Sequence, residues 1–356
     1  MKWIFISLWV VLIAPAQAKA PVLSAKELAH PPAKVIRICC AFGSEVSVGR
    51  IPFVKKTDIM SLDDLGTHRY LGGPSEGNGI IYTQKGGFVD LGHLRDYADW
   101  TAYLYVMLTS EETKDVITLA LGTEGGPKML TLKKSSIPSH VDRYELAGRM
   151  AYDLSVWHEI STWFGASYIP MVPERFSSFS PEDLYSNLLG ARLGILALQS
   201  ELEYEEAITQ LLASTLKSLV AVDEIEETFL AMEKVEDLWW TREKAIPNKR
   251  LLLKRYMQNG SELVPWLLPE DVQREVPCIL DIPDERLRNY YDLTIKLNAR
   301  FPVARIFPLK EGRVVSQNDF DELILFIEKE SVRLDEKYAK KPNTKPKREV
   351  KKPTAG

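Results

Sequence analysis

The chain has five histidines, and three of them stand in unusually polar company. His68 lies in Gly66-Thr-His68-Arg69-Tyr70. His93 lies in Asp90-Leu-Gly-His93-Leu-Arg95-Asp96-Tyr-Ala-Asp99-Trp100, and His158 in Trp157-His158-Glu159-Ile-Ser-Thr162-Trp163. His30, in a Pro-rich stretch, and His140, after Pro138, read as solvated. His93 and Asp96 are spaced i, i+3, which puts an imidazole and a carboxylate on one helical face, with Asp99 continuing it. Such a pair can ligate a metal or work as an acid/base couple in which the carboxylate orients the ring. His158-Glu159 is the first half of the helical zinc-peptidase pattern, in which His binds the ion and Glu activates water. The second half is missing, because position i+4 is Thr162. An ion at His158 must therefore be completed from another segment, by His93, by His68 or by a carboxylate. Glu159 sits among Trp157, Trp163 and Phe164, where burying a carboxylate is costly unless a positive or hydrogen-bonding group meets it. The expected site thus has His93, His158 and His68 as metal ligands, with zinc as the ion. Asp96 is a ligand or orienting group, Glu159 the general base, and Arg69 or Arg95 an anion clamp.

A plainer account uses the same residues. Asp90 caps a helix, Asp96 pairs with Arg95 or Arg69, and Glu159 pairs with Arg149 or Arg175, giving buried polar networks in a non-catalytic structural or interaction protein. The discriminating observation is whether His93 and His158 converge. A cysteine mechanism has the chain order of papain-like cell-wall peptidases, Cys39 or Cys40 before His93, but Ile38–Gly43 reads as a strand entering a turn, not the start of a helix.

The elements that must position these residues are mostly helical. Val89–Leu108 and residues 142–164 have apolar residues at helical spacing. Between them, Val116–Leu121 and Met129–Leu132, separated by Gly122-Thr-Glu-Gly-Gly-Pro, read as a hairpin. Val35–Phe42 reads as a strand, and residues 59–87 as a Gly-rich stretch around one strand, Ile80–Thr83. Ser180-Pro-Glu-Asp183 reads as a helix start with Ser180 as N-cap, and residues 181–240 as a bundle-like run of long helices. A helix near Asp284–Arg300, a hairpin over Val303–Val315 and a final helix opened by Ser316…Asp319 complete the reading. The class is α+β, predominantly helical. The divisions are a signal segment 1–18, an extended lead-in 19–34, a single α+β domain 36–335 with a helical subdomain over 181–300, and a basic tail 336–356.

The N-terminus has Lys2, an apolar run Trp3–Ala14 and then Pro15-Ala16-Gln17-Ala18, the pattern of a cleaved secretory signal. The run is short for a bilayer span, which takes about 20 apolar residues, so the mature chain is expected to be periplasmic or secreted and not transmembrane. The net charge of −4 conceals an acidic body and a tail with eight basic residues between Lys337 and Lys352. An acidic body argues against nucleic acid as a partner, and the tail suits weak contact with anionic envelope polymers or lipids. Of three cysteines, Cys278 is expected to pair with Cys39 or Cys40 after export. The segments Arg37-Ile-Cys-Cys-Ala-Phe-Gly, Gly-Thr-His68-Arg-Tyr, Asp90–Trp100 and Trp157–Gly165, with Phe-Ser-Pro-Glu-Asp-Leu-Tyr-Ser-Asn after them, resemble an uncharacterised family of exported bacterial proteins, a domain of unknown function, over most of residues 36–330. That resemblance implies a bacterial envelope location and assigns no activity.

Overall fold

Two buried helices organise the molecule, and each starts at an aspartate. Asp90 Oδ1 accepts the backbone N–H of His93 at 3.0 Å and opens α2 (Leu91–Thr109). Asp142 accepts the N–H groups of Tyr144 and Glu145 and opens α3 (Arg143–Trp163). A short carboxylate at this position satisfies amide groups that have no partner within the helix. Both helices are buried on nearly every face, as central helices must be when no side of them meets water.

The computed structural model describes residues 20–31, 37, 58–165, 175, 177–246, 249–257 and 260–339. The signal segment, the expected strand at 35–42 apart from Arg37, and the basic tail after 339 lie outside them. In chain order the elements are α1 (Ala25–Ala29), β1 (Asp58–Ile59), β2 (Gly79–Thr83), β3 (Gly87–Asp90), α2, β4 (Val116–Ala120), β5 (Lys128–Lys133), α3, α4 (Asp183–Gln199), α5 (Tyr204–Ser218) and α6 (Ile225–Lys234). They continue as β6 (Trp240–Ile246), β7 (Lys249–Leu252), β8 (Glu262–Leu263), β9 (Leu280–Asp281), β10 (Asp292–Lys296), α7 (Val303–Ile306), β11 (Val314–Ser316) and α8 (Phe320–Ala339). The fold is α+β and rich in helix.

Helix α4 lies against α2 at backbone distance. A Cβ on Gly190 would stand 2.0 Å from the carbonyl oxygen of Leu94, and one on Gly194 2.9 Å from that of Ala98. Only glycine permits this approach, and it draws the start of α4 alongside the start of α2, where the N–H of Asp90 donates to Ser186 Oγ at 2.8 Å. A four-stranded antiparallel sheet, ordered β11-β10-β5-β4, supplies Leu119, Leu130, Leu293 and Ile295 to the main core. Its strands β4 and β10 alternate buried and exposed residues, as strands with one wet face do. A smaller sheet pairs β1 parallel and β3 antiparallel to β2. Strand β3 runs straight into α2, so its last residue, Asp90, is also the cap of the helix that carries His93.

The C-terminal third departs from the sequence reading. The expected helix at Asp284–Arg300 is a 3-10 turn, Glu285–Tyr290, followed by β10. Leu293 and Ile295 have the spacing of a strand, and pairing with β5 and β11 on both sides fixes it. The expected hairpin over Val303–Val315 is instead the short helix α7 and strand β11, whose partner is β10. Within 181–300 the helices end at Lys234, and strands β6 to β10 follow. Helix α4 starts at Asp183 with Glu182 at the cap position, and the N–H of Ser180 donates to Asp183 Oδ2 instead of Ser180 capping the helix. Cys278 is a free, half-buried thiol, and its expected partners Cys39 and Cys40 lie outside the described residues. No helix among the described residues is long and apolar enough to cross a membrane.

Candidate metal centre

The first turn of α2, the late turns of α3 and the first turn of α4 meet at two histidines. The rings of His93 and His158 are edge to face with centroids 5.8 Å apart. His93, His158 and Glu159 each offer a ligand atom, and these atoms all lie within 4.8 Å of one another. His93 and Glu159 are buried, at 4% and 1% exposure, while the His158 side chain is 23% exposed and faces solvent.

Each imidazole has a carboxylate on its Nδ1. His158 Nδ1 lies 2.6 Å from Glu124 Oε1, and the other Glu124 oxygen accepts from Lys128 Nζ at 2.8 Å. Burial opposes ionisation of Glu124, but Lys128 and then His158 outweigh it and hold the carboxyl well below its ordinary range. His93 Nδ1 lies 3.2 Å from Asp183 Oδ1. A carboxylate on one ring nitrogen can orient the ring and turn the other nitrogen toward a ligand, the arrangement common at metal-binding histidines.

Glu159 is placed differently. Its Oε2 accepts the N–H of Phe179 at 2.8 Å, and its Oε1 has no hydrogen bond among the described residues. Burial, and then the charge of Asp183, push its carboxyl well above the ordinary value, more than His158 and His93 lower it. Glu182, fully buried and held by Ser180 Oγ at 2.6 Å, is pushed up for the same two reasons. Among the described residues, Glu159 meets neither of the arginines that could have paired with it. Arg149 bonds Asp153 and the carbonyl of Pro283, and Arg175 Nε donates to the carbonyl of Trp163.

His68 and Asp96 belong to a second, largely buried cluster. Arg37 donates to both oxygens of Glu76 at 2.8 Å, to Asp96 at 2.9 Å and to Asp99 at 2.8 Å. His68 lies between Asp99 (Nε2, 3.0 Å) and Glu76 (Nδ1, 3.3 Å). Burial opposes protonation of His68, but Asp99 outweighs it and raises its pKa. His68 and Asp96 are therefore engaged with Arg37's partners and Arg37 itself, and Asp183 occupies the place beside His93 that the i, i+3 spacing suggested for Asp96. Arg69 is a surface partner of Glu205. Arg95 is buried, donates to the carbonyl of Leu65 and has its pKa lowered to about 10 by burial.

Glu124 and Asp183 are the polar residues that sequence reasoning passed over. Their signals were present as structure: Glu124 is the one acid in the Gly-rich β4–β5 loop, and Asp183 ends the Ser-Pro-Glu-Asp helix start. The loop's glycines are what bring Glu124 in. Gly125 has φ +73° and packs on Trp157, whose Nε1 donates to the Glu124 carbonyl at 3.0 Å, and Gly126 has φ +146° beside the carbonyl of Lys296.

A family model described as a protein of unknown function (DUF4056) matches residues 26–269. The chain belongs to this DUF4056 family. His93, His158, Glu159, Glu124 and Asp183 all fall within the DUF4056 span. No curated protein and no solved structure matches the chain.

Proposed function

We propose that this chain is an exported, metal-assisted hydrolase of the bacterial envelope, with zinc held by His93, His158 and Glu159. The convergence of these three residues within ligand distance carries the reading. Two imidazoles and one carboxylate form a donor set suited to zinc with a position left for water, and a bound zinc supplies Lewis acidity and a water that ionises near neutral pH. His93 and His158 bind through Nε2, because Asp183 and Glu124 occupy their Nδ1 sides. Glu159 is the third ligand through Oε1, in place of the general-base role its position beside His158 suggested. Its raised pKa fits a carboxylate placed for a cation, since loss of its proton is compensated once positive charge arrives. Glu124 and Asp183 are positioning residues.

Elemental analysis of purified full-length protein tests the reading: near-stoichiometric zinc in the parent and loss of it in His158→Ala are expected. A parent that takes up no zinc or other transition metal ends the proposal. A second reading, an ion-stabilised envelope protein without catalysis, is favoured by the burial of His93 and Glu159, since only His158 faces solvent. A zinc-dependent rise in melting temperature with no hydrolysis of peptide, ester or phosphoester substrates would select it. Export is tested separately, by a mature N-terminus at Lys19 in mass spectra of the envelope fraction.

A further inference from the structure

The end of α3 carries a feature that the histidine cluster leaves unused. Trp163, with Phe164 beside it, walls a cavity of 340 Å³, at the lower end of the roughly 300–1,000 Å³ typical of ligand pockets. Phe326 of α8, stacked beside Phe164 with centroids 6.3 Å apart, extends the apolar lining. Around this apolar surface stand four arginines, Arg175, Arg300, Arg305 and Arg333, against one carboxylate, Glu330. Arg305 and Arg333 share Glu330 Oε1 at 2.8 and 2.6 Å, and both guanidinium side chains are more than half exposed. Arg175 lies over the Trp163 ring at 5.2 Å, and Arg305 over Phe326 at 5.2 Å. Neither Arg175 nor Arg300 forms an ion pair among the described residues. The arginines come from three separate stretches of the chain, Arg175, Arg300 with Arg305, and Arg333, so their gathering is a product of the fold and not of a local charge run.

Guanidinium groups in excess over carboxylates repel one another, and an anion that accepts from several of them relieves the repulsion. The aromatic walls add a preference for an anion with an apolar or flat body. The cavity shares no lining residue with the histidine cluster. Trp163 is roughly 7–8 Å beyond His158 along the helix axis and about 140° round it, so the two side chains leave α3 on different faces. Arg255, over the other contact of the Trp163 ring at 5.0 Å, donates to the carbonyl of Ser178, whose hydroxyl donates to the carbonyl of Glu159 at 2.8 Å.

We propose that this cavity binds an organic anion, a carboxylate or phosphate carried on an apolar or aromatic group. The binding does not depend on the hydrolase reading. The test uses full-length protein stripped of metal with a chelator, titrated by calorimetry and tryptophan fluorescence with benzoate, phenyl phosphate, inorganic phosphate and benzyl alcohol. Saturable binding of benzoate or phenyl phosphate is expected, with inorganic phosphate weaker and benzyl alcohol weakest, and the tighter of the two organic anions assigns the ligand as carboxylate or phosphate. Arg175→Gln and Arg300→Gln should each weaken that binding by about tenfold, the worth of one charge-assisted hydrogen bond, with the fold retained; Arg175→Gln also loses its bond to the Trp163 carbonyl, so Arg300→Gln is the variant expected to leave the melting temperature unchanged. His158→Ala should bind the probe like the parent, so a failed metal assay with intact probe binding removes the hydrolase reading and leaves the cavity. Benzyl alcohol binding as tightly as the anions, or an Arg175→Gln/Arg300→Gln double variant binding phenyl phosphate like the parent, overturns the proposal.

Discussion

Replacing Glu124 by Gln keeps the size of the side chain and removes the charge that holds His158. Two effects separate in the structure. Glu124 Oε1 orients His158 at 2.6 Å, and loss of such an outer carboxylate lowers metal affinity by about 10–100-fold, or about 1.4–2.7 kcal/mol. Glu124 Oε2 neutralises Lys128, whose side chain is only 6% exposed, so Lys128 is left buried without its counter-charge. Removing one partner of a buried pair costs about 3–5 kcal/mol of stability. Lys128→Met in the Glu124→Gln background should recover most of the stability but none of the affinity. The assay is competitive zinc titration against a chromophoric chelator, with thermal unfolding of metal-free protein run in parallel. If Glu124→Gln binds zinc within twofold of the parent while His158→Ala does not bind, Glu124 serves Lys128 alone and the positioning argument is wrong. Recovery of affinity with Lys128→Met would assign the loss to misfolding instead of ring orientation.

Zinc binding should release protons and tighten as pH rises, because Glu159 must ionise, and calorimetry in buffers of different ionisation enthalpy reads this directly. The folded-state pKa of Glu159 lies above its unfolded value of 4.5, so its contribution to metal-free stability is full below 4.5 and is lost as pH rises through the folded value; denaturant melts across that window should show the decline, and zinc should cancel it. Asp99→Asn should cost about 3–5 kcal/mol, since Arg37 and His68 both lose a buried counter-charge, yet leave zinc stoichiometry at one in the folded fraction; loss of zinc from folded protein would tie the two clusters together. Gly190→Ala should destabilise by at least about 1–3 kcal/mol through overpacking against the Leu94 carbonyl, and should weaken zinc binding as α4 and its Asp183 move away from His93; an unchanged melting temperature would contradict the close approach of α2 and α4.

The helices that carry the site were legible because their signals are local. Asp90 and Asp142 stand where a cap must stand, and the apolar residues between Leu91 and Leu108 and between Leu146 and Trp163 repeat at the helical period. The strand at Asp292–Lys296 was not legible as a strand, because five residues alternating polar and apolar fit a short helix face as well, and what decides between them is a partner more than 150 residues away in β5. The same holds at Val314–Ser316, where the turn signal at Glu311-Gly312 is real but the hydrogen-bonding partner is β10 and not the segment just before the turn.

The site shows the same division between local and distant information, with a chemical consequence. His158-Glu159 suggested a metal because the dipeptide is half of a known ligand pattern, and His93, the expected complement, does converge on it. Asp96 was expected beside His93 because helical spacing is the only neighbour relation a sequence displays. In the folded chain the i, i+3 face of α2 is claimed by Arg37, whose guanidinium satisfies Glu76, Asp96 and Asp99 together. The carboxylate at His93 comes from α4 instead, and it can do so because Gly190 and Gly194 let α4 lie on the α2 backbone. The outcome is two buried polar clusters on one helix with opposite electrostatic character. Around Arg37 the carboxylates are met by arginine and histidine, and Glu76 and Asp99 are held below their ordinary pKa values by those partners. Around His93 and His158, Glu159 and Glu182 are held above theirs by burial and by Asp183. A cluster whose buried carboxylates are already held ionised by Arg37 and His68 gains less from an added cation. One whose buried carboxylates stand raised beside two imidazoles would gain positive charge from one, which favours the proposed ion at His93, His158 and Glu159 over His68.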